Sequence, residues 1–220
     1  YFGPLKKGPP ASFRPFSVRE GTRVRVRRQK TEQVNFCLGF PACSRQSPER
    51  YATGLLSTIL GGNMSSRLFN EVRENRGLAY DVRSYVKLHA DTGSFVVSAG
   101  LAPGKLGECL KVIGEEIGRI REIPVAADEL ARAKEYVVAQ ALMSLEDSLE
   151  YMLWIGEQVT SGDPLVTVRE TKRRIAAVTR EDILAAANTL FVKENARLAL
   201  IDEHIARKTA SNLIGECAAW

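Results

Sequence analysis

Histidine is nearly absent from this chain. Its 220 residues hold only His89 and His204, which stand 115 positions apart. A catalytic zinc site needs two histidines on one helix face with a carboxylate close by. Neither histidine has that spacing, so the chain cannot build a usual zinc site alone, and His89 reads as a polar residue on the exposed side of a strand end. The four cysteines, Cys37, Cys43, Cys109 and Cys217, match no zinc or redox spacing. They read as small core hydrophobes or incidental thiols. There is no G-x-S-x-G elbow for a serine nucleophile and no G-x-x-x-x-G-K-S/T loop for a phosphate. No apolar run approaches the length of a membrane span. No signal peptide is visible. The chain begins Tyr1-Phe2-Gly3-Pro4 without Met, as expected of a processed chain or a fragment, so compartment is left open.

What is present is ordinary globular material. Apolar residues make up 45% and charged residues 26%, which excludes disordered, fibrous and disulfide-scaffold classes. A chain of this length buries roughly 70% of its unfolded surface, enough for a substantial core. The net charge is +5, from 31 basic and 26 acidic residues. The excess is local: Arg14, Arg19, Arg23, Arg25, Arg27, Arg28 and Lys30 share one short region. No basic motif studded with aromatics accompanies it, so nucleic acid is not expected as a partner. Alternating arginine is read more simply as the solvated face of an edge strand.

The pattern along the chain predicts an α+β domain. Five of the nine prolines fall in the first 41 residues, so residues 1–20 are expected to be a linker and the end of a preceding domain. Val24 and Val26 alternate with arginines. Val34, Phe36, Leu38 and Phe40 alternate with Asn35, Cys37 and Gly39. These are two strands with a turn near Thr31-Glu32. Ser47-Pro48-Glu49 starts a helix that Gly61-Gly62-Asn63 ends. Ser65 or Ser66 is expected to cap a second helix with Leu68, Phe69 and Val72 inward, broken at Gly77. A strand pair follows at 81–88 and 94–99, joined by the turn Ala90-Asp91-Thr92-Gly93. From Pro103 the chain is mostly helical. Asp163-Pro164 is read as a further N-cap, and Thr179-x-x-Asp182 as a capping box. A buried strand is expected at 196–201, and an uninformative tail at 203–220. Strand pairs joined by short turns and helices in blocks give an antiparallel sheet with helices packed on one face, spanning residues 21–202.

One constellation stands out. Arg73 and Tyr80 are seven residues apart, near a helix end and a strand start, with Gly77 between. Arg offers a fixed cationic fork, and Tyr a neutral donor for a developing oxyanion. From spacing alone, a solvated helix-end Arg and a strand Tyr remain the simpler reading.

The surroundings decide between them by resemblance. The run Leu55-Leu56-Ser57-Thr58-Ile59-Leu60-Gly61-Gly62-Asn63-Met64-Ser65-Ser66-Arg67-Leu68-Phe69-Asn70-Glu71-Val72-Arg73-Glu74-Asn75-Arg76-Gly77-Leu78-Ala79-Tyr80 resembles the M16 zinc metallopeptidases, which include pitrilysin, insulin-degrading enzyme and the mitochondrial processing peptidase. It is most similar to the second, non-zinc domain of a bacterial processing-protease-like member. Tyr1 to Leu5, Gln33 to Phe40 and Glu129 to Lys134 extend the likeness over about residues 1–202. The resemblance implies the LuxS-like metallohydrolase fold and paired homologous domains enclosing a chamber. One domain carries H-x-x-E-H, a distal Glu and the zinc; its partner supplies an Arg and a Tyr seven apart. On that basis Arg73 holds the peptide and Tyr80 stabilises the tetrahedral intermediate. The peptide would add as a strand to a sheet edge, and Gly61 and Gly62 would shape a substrate-binding loop near the chamber. Zinc is expected in the complete enzyme and not on this chain. The expected partners are a zinc-bearing M16 domain, on the same polypeptide or a separate subunit, and a peptide substrate. A homodimer stays open, as do bacterial cytoplasm and periplasm. The alternative is a non-catalytic M16-like partner that binds peptide or stabilises an assembly.

Overall fold

A computed structural model describes residues 8, 14–17 and 23–217. Of the expected linker at 1–20, fifteen residues lie outside the described ones. The strands are β1 (Val24–Arg27), β2 (Val34–Ala42), β3 (Ala79–Leu88), β4 (Gly93–Leu101) and β5 (Arg197–Ile201). They form one sheet in the order β1-β5-β2-β4-β3. Every neighbouring pair is antiparallel except β1 with β5, which is parallel.

That order corrects one local expectation. β1 and β2 follow each other in sequence but are not neighbours, because β5 lies between them. The turn near Thr31-Glu32 therefore spans a strand's width and is not a tight hairpin. The pairing at β3 and β4 is as expected. Leu88 faces Gly93, and the His89 amide donates to the Thr92 carbonyl at 2.8 Å.

The helices are α1 (Arg50–Gly61), α2 (Leu106–Glu122), α3 (Ala127–Ser144), α4 (Ser148–Thr160), α5 (Val168–Ala177), α6 (Arg180–Leu190) and α7 (Arg207–Cys217). They cover one face of the sheet. Val34, Phe36, Leu38 and Phe40 of β2, with Phe95, Val97 and Leu101 of β4, point into the core they share with α1, α2 and α6. The opposite residues, Asn35, Cys37 and Arg83 among them, are exposed. β5 was expected to be buried on both sides. It alternates instead, with Leu198 and Leu200 inward and Ala199 exposed, because helices cover only one side of the sheet.

Several boundaries moved for identifiable reasons. Asn63 Oδ1, not a serine hydroxyl, accepts the Ser65 amide at 2.8 Å, and Ser66 is buried and donates backward to the Asn63 carbonyl. Asp163 is no helix cap: it pairs with Arg45 at 2.6 Å, and α5 starts at Thr167, whose hydroxyl accepts the Glu170 amide. The capping box at Thr179 and Asp182 is formed as the sequence predicts. The expected tail is α7, whose Ala210, Ile214 and Cys217 enter the common core beside α2 and β1.

Candidate active-site half

The segment between α1 and β3 is where local structure departs from the ordinary. Residues Phe69–Glu74 form a π-helical turn. The Asn75 amide reaches back to the Asn70 carbonyl at 2.8 Å. Two closing bonds follow: Gly77 N–H to the Arg73 carbonyl at 3.0 Å, and Leu78 N–H to the Val72 carbonyl at 2.8 Å. Gly77 has φ +57°, the left-handed region that glycine enters without a side-chain penalty. Buried Val72 and Leu68 anchor the turn, and buried Leu78 and Ala79 anchor the strand start.

Arg73 and Tyr80 each follow one of these anchors in the chain. Tyr80 is also the extra residue of a β-bulge: Ala79 pairs with Leu101 and Asp81 with Gly100, leaving Tyr80 without a partner on β4. A bulge re-aims a side chain and recurs beside functional sites. Tyr80 is 76% exposed, and its hydroxyl has no hydrogen-bond partner among the described residues. The Arg73 guanidinium carbon sits 4.9 Å from the Tyr80 ring centroid and 4.8 Å from that of Phe69. Both distances fall within cation–π range. Glu74 lies 3.6 Å from Arg73 Nε. The fold thus brings the two sequence-selected residues together. It adds Phe69, which the sequence reading placed inward as core but which is only half-buried. The available signal was Phe69 and Arg73 at i, i+4 spacing, which makes them neighbours on a helical surface.

The turn is held from behind by charge. Arg67 makes a two-pronged contact with Glu129 of α3, at 2.8 and 2.7 Å. The Glu129 hydrogen bonds raise the Arg67 pKa. Glu116 of α2 is 4% exposed and accepts from Arg119 at 2.6 Å. Burial raises its carboxyl pKa, against the opposing pull of Arg119 and Arg67.

Gly61 and Gly62 are explained by packing. A Cβ on Gly61 would stand 2.7 Å from the Ser84 amide nitrogen, and one on Gly62 2.6 Å from the Thr58 Cα. Gly61 lets α1 close on β3, where the Ser84 hydroxyl donates to the Ser57 carbonyl at 2.8 Å.

The donors for a metal do not converge. Among the described residues no group of His, Cys, Asp or Glu is able to hold an ion. His89 lies exposed in the β3–β4 turn, and His204 lies exposed after β5. The described residues do not offer zinc a ligand set. Burial pushes the Cys109 and Cys217 thiols up to about 12, so neither is a thiolate near neutral pH. Among the described residues no helix is long and apolar enough to cross a membrane. At Arg73 and Tyr80 the chemistry on offer is donation and positive charge, without an activated nucleophile beside it.

Known proteins share this sequence and fold. Residues 1–137 match the family described as the peptidase M16 inactive domain. An uncharacterized zinc protease of Streptomyces coelicolor is 40% identical over 175 residues, covering 80% of this chain and 38% of that protein. One of Bacillus subtilis is 32% identical over 180 residues, covering 82% and 44% respectively. The chain spans less than half the length of these relatives. Among solved structures, a protease from Helicobacter pylori superposes with TM-score 0.80 at 21% identity, covering 90% of this chain and 48% of that one. A peptidase M16 inactive domain from Pseudomonas fluorescens gives TM-score 0.72 at 23% identity, covering 84% and 44%.

Proposed function

The chain belongs to the peptidase M16 inactive-domain family, and on that premise we propose that it is the non-zinc half of a zinc-dependent endopeptidase cleaving extended peptides. Zinc, the base and the activated water would lie on a homologous zinc-bearing domain, carried on the same polypeptide or on a separate subunit. This chain would supply Arg73 and Tyr80.

The observation that carries the reading is the bulge. It exposes a tyrosine whose hydroxyl has no partner among the described residues and sets it against a guanidinium. A neutral hydroxyl donor aimed where negative charge develops stabilises a tetrahedral oxyanion. The guanidinium fork suits a peptide carbonyl or carboxylate. Phe69 on the other side limits the directions Arg73 can take, which reduces the ordering cost of each hydrogen bond it makes. Gly61 and Gly62 have no part in this reading, since packing accounts for both.

The test is reconstitution. Mixed with its zinc-bearing counterpart, the chain should restore peptide cleavage. Tyr80→Phe should lower kcat by about 10²-fold, and Arg73→Ala should lower kcat/KM mainly through KM. Full turnover in both variants would remove the assignment. Stable association without cleavage would favour a non-catalytic partner, the reading that the family's description as inactive domain also suggests.

A further inference from the structure

The open face of the sheet carries a charge pattern that Arg73 and Tyr80 do not use. Residues in cross-strand register share a face, so the pairings define rows. Arg25 pairs with Ala199, Ala199 with Cys37, Cys37 with Ser98, and Ser98 with Arg83. The next row runs Arg27, Ile201, Asn35, Gly100, Asp81. The middle positions are uncharged and mostly small. Arginines stand at the β1 end of both rows, and Arg83 at the β3 end of the first. A cleft of about 340 Å³ lies between them, with Arg25, Arg27, Asp81 and Arg83 among its lining residues.

Two of these cations are uncommitted. Arg25 and Arg27 are exposed, and their side chains make no hydrogen bond or ion pair with any described residue. Their neighbours differ. Arg23 donates to the Lys193 and Ala196 carbonyls, and Arg197 to those of Glu194 and Ala196. The one acid in the cleft, Asp81, lies 3.9 Å from Arg83, at the far end from Arg25 and Arg27. Protection of an edge strand needs charge only at the edge. β1 and β3 are the two edges of the sheet, so edge protection covers the charge on both walls. It does not call for the floor of small uncharged residues between them, or for Arg25 and Arg27 to face the cleft without a partner side chain. The cleft also ends beside the candidate site, because Asp81 directly follows Tyr80.

We propose that this face selects peptide segments bearing carboxylate side chains, with Arg25 and Arg27 as the specificity-determining pair. The proposal rests on the reading of the chain as the peptide-handling half of a peptidase. Each guanidinium can take a carboxylate in a two-pronged contact. Four strand spacings of about 4.8 Å separate β1 from β3, roughly 19 Å in all, which an extended segment of about six residues spans. A substrate whose scissile carbonyl lies against Tyr80 therefore carries its acidic residue about six positions from the scissile bond.

Binding to this chain tests it without any cleavage. Labelled extended peptides, identical except for Glu, Gln or Lys at alternate positions, are titrated by fluorescence anisotropy at low and high salt. The Glu peptide should bind about tenfold more tightly than the Gln peptide at low salt, with the advantage shrinking as salt rises. Arg25→Ala with Arg27→Ala should erase the preference. Arg25→Glu with Arg27→Glu should turn it toward the Lys peptide, an outcome that a misfolded variant could not produce. Equal binding of Glu and Gln peptides, absence of Glu-peptide binding, or an unchanged preference in the Ala variants overturns the proposal. Tighter binding of a single-stranded RNA of equal charge overturns it in favour of nucleic acid. The two readings fail separately. Normal cleavage by Tyr80→Phe would remove the peptidase role of that residue, and the Arg25 and Arg27 variants would still decide the carboxylate preference.

Discussion

At the scale of single residues, the decisive positions are those where the backbone departs from regular geometry. Arg73 and Tyr80 meet because Gly77 turns left-handed and Tyr80 is left over in the β3–β4 register. Their spacing of seven residues was visible in the sequence, but spacing alone does not close a distance. Closure depends on the Leu78 amide reaching the Val72 carbonyl and on buried anchors at Val72 and Ala79. Gly61 makes the complementary case, in which a residue chosen as a substrate contact has a packing explanation. Gly61→Ala should cost about 1–3 kcal/mol, because its Cβ would meet backbone that cannot yield. A fall in Tm of several degrees, with peptide affinity of the folded protein unchanged, is the expected result. An unchanged Tm with weakened peptide binding would return Gly61 to the substrate side.

At the scale of elements, patterns that satisfy themselves locally were legible. The capping box on α6 and the turn between β3 and β4 need only their own residues. The α2 stripe of Leu106, Leu110, Ile113 and Ile117 is buried as its period predicts. The π-helical turn was not legible, because one residue of extra width leaves no mark in apolar periodicity. The buried charge on α2 escaped for a similar reason: Glu116 stands among exposed acids in sequence and is buried only by its neighbours. Its raised folded-state pKa has a definite sign. The proton is held more tightly in the folded chain, so the stability linked to Glu116 is present at low pH and is lost as pH rises through the raised value. Glu116→Gln keeps the buried neutral form at every pH. Its Tm relative to wild type should therefore climb between acid and neutral pH. Parallel Tm curves for the two proteins would show that Glu116 ionises as freely folded as unfolded.

At the scale of the whole molecule, one core ties the sheet to the helices. Phe191 sits at its centre, fully buried. It meets Phe40 and Phe95 edge-on, at centroid distances of 5.1 and 5.2 Å, an arrangement that aromatic quadrupoles favour. Phe191 follows α6, while Phe40 and Phe95 lie on β2 and β4, so the cluster joins the late helices to the early strands. Phe191→Ala should cost about 3–5 kcal/mol, a large share of the stability of a single domain. The urea midpoint would read it, and a shift below about 1 kcal/mol would mean the cavity collapses or is refilled. Helix α4 stands outside this core. None of its residues is buried, and Leu149, Met152 and Leu153 are exposed.

The sequence by itself determined the class of the fold and the faces of its elements. Alternation of period two and stripes of helical period follow from which residues water rejects, and each is written within one element. It also placed Arg73 and Tyr80 seven residues apart across a glycine, the pair that reconstitution with a zinc-bearing domain would test. Only the tertiary structure decided that β5 separates β1 from β2, that residues after 202 return as α7 into the core, and that Phe69 flanks Arg73. It alone aligned Arg25, Arg27 and Arg83 around one cleft. These facts depend on contacts between residues far apart in the chain, and a pattern read along one strand or helix carries no term for its neighbour.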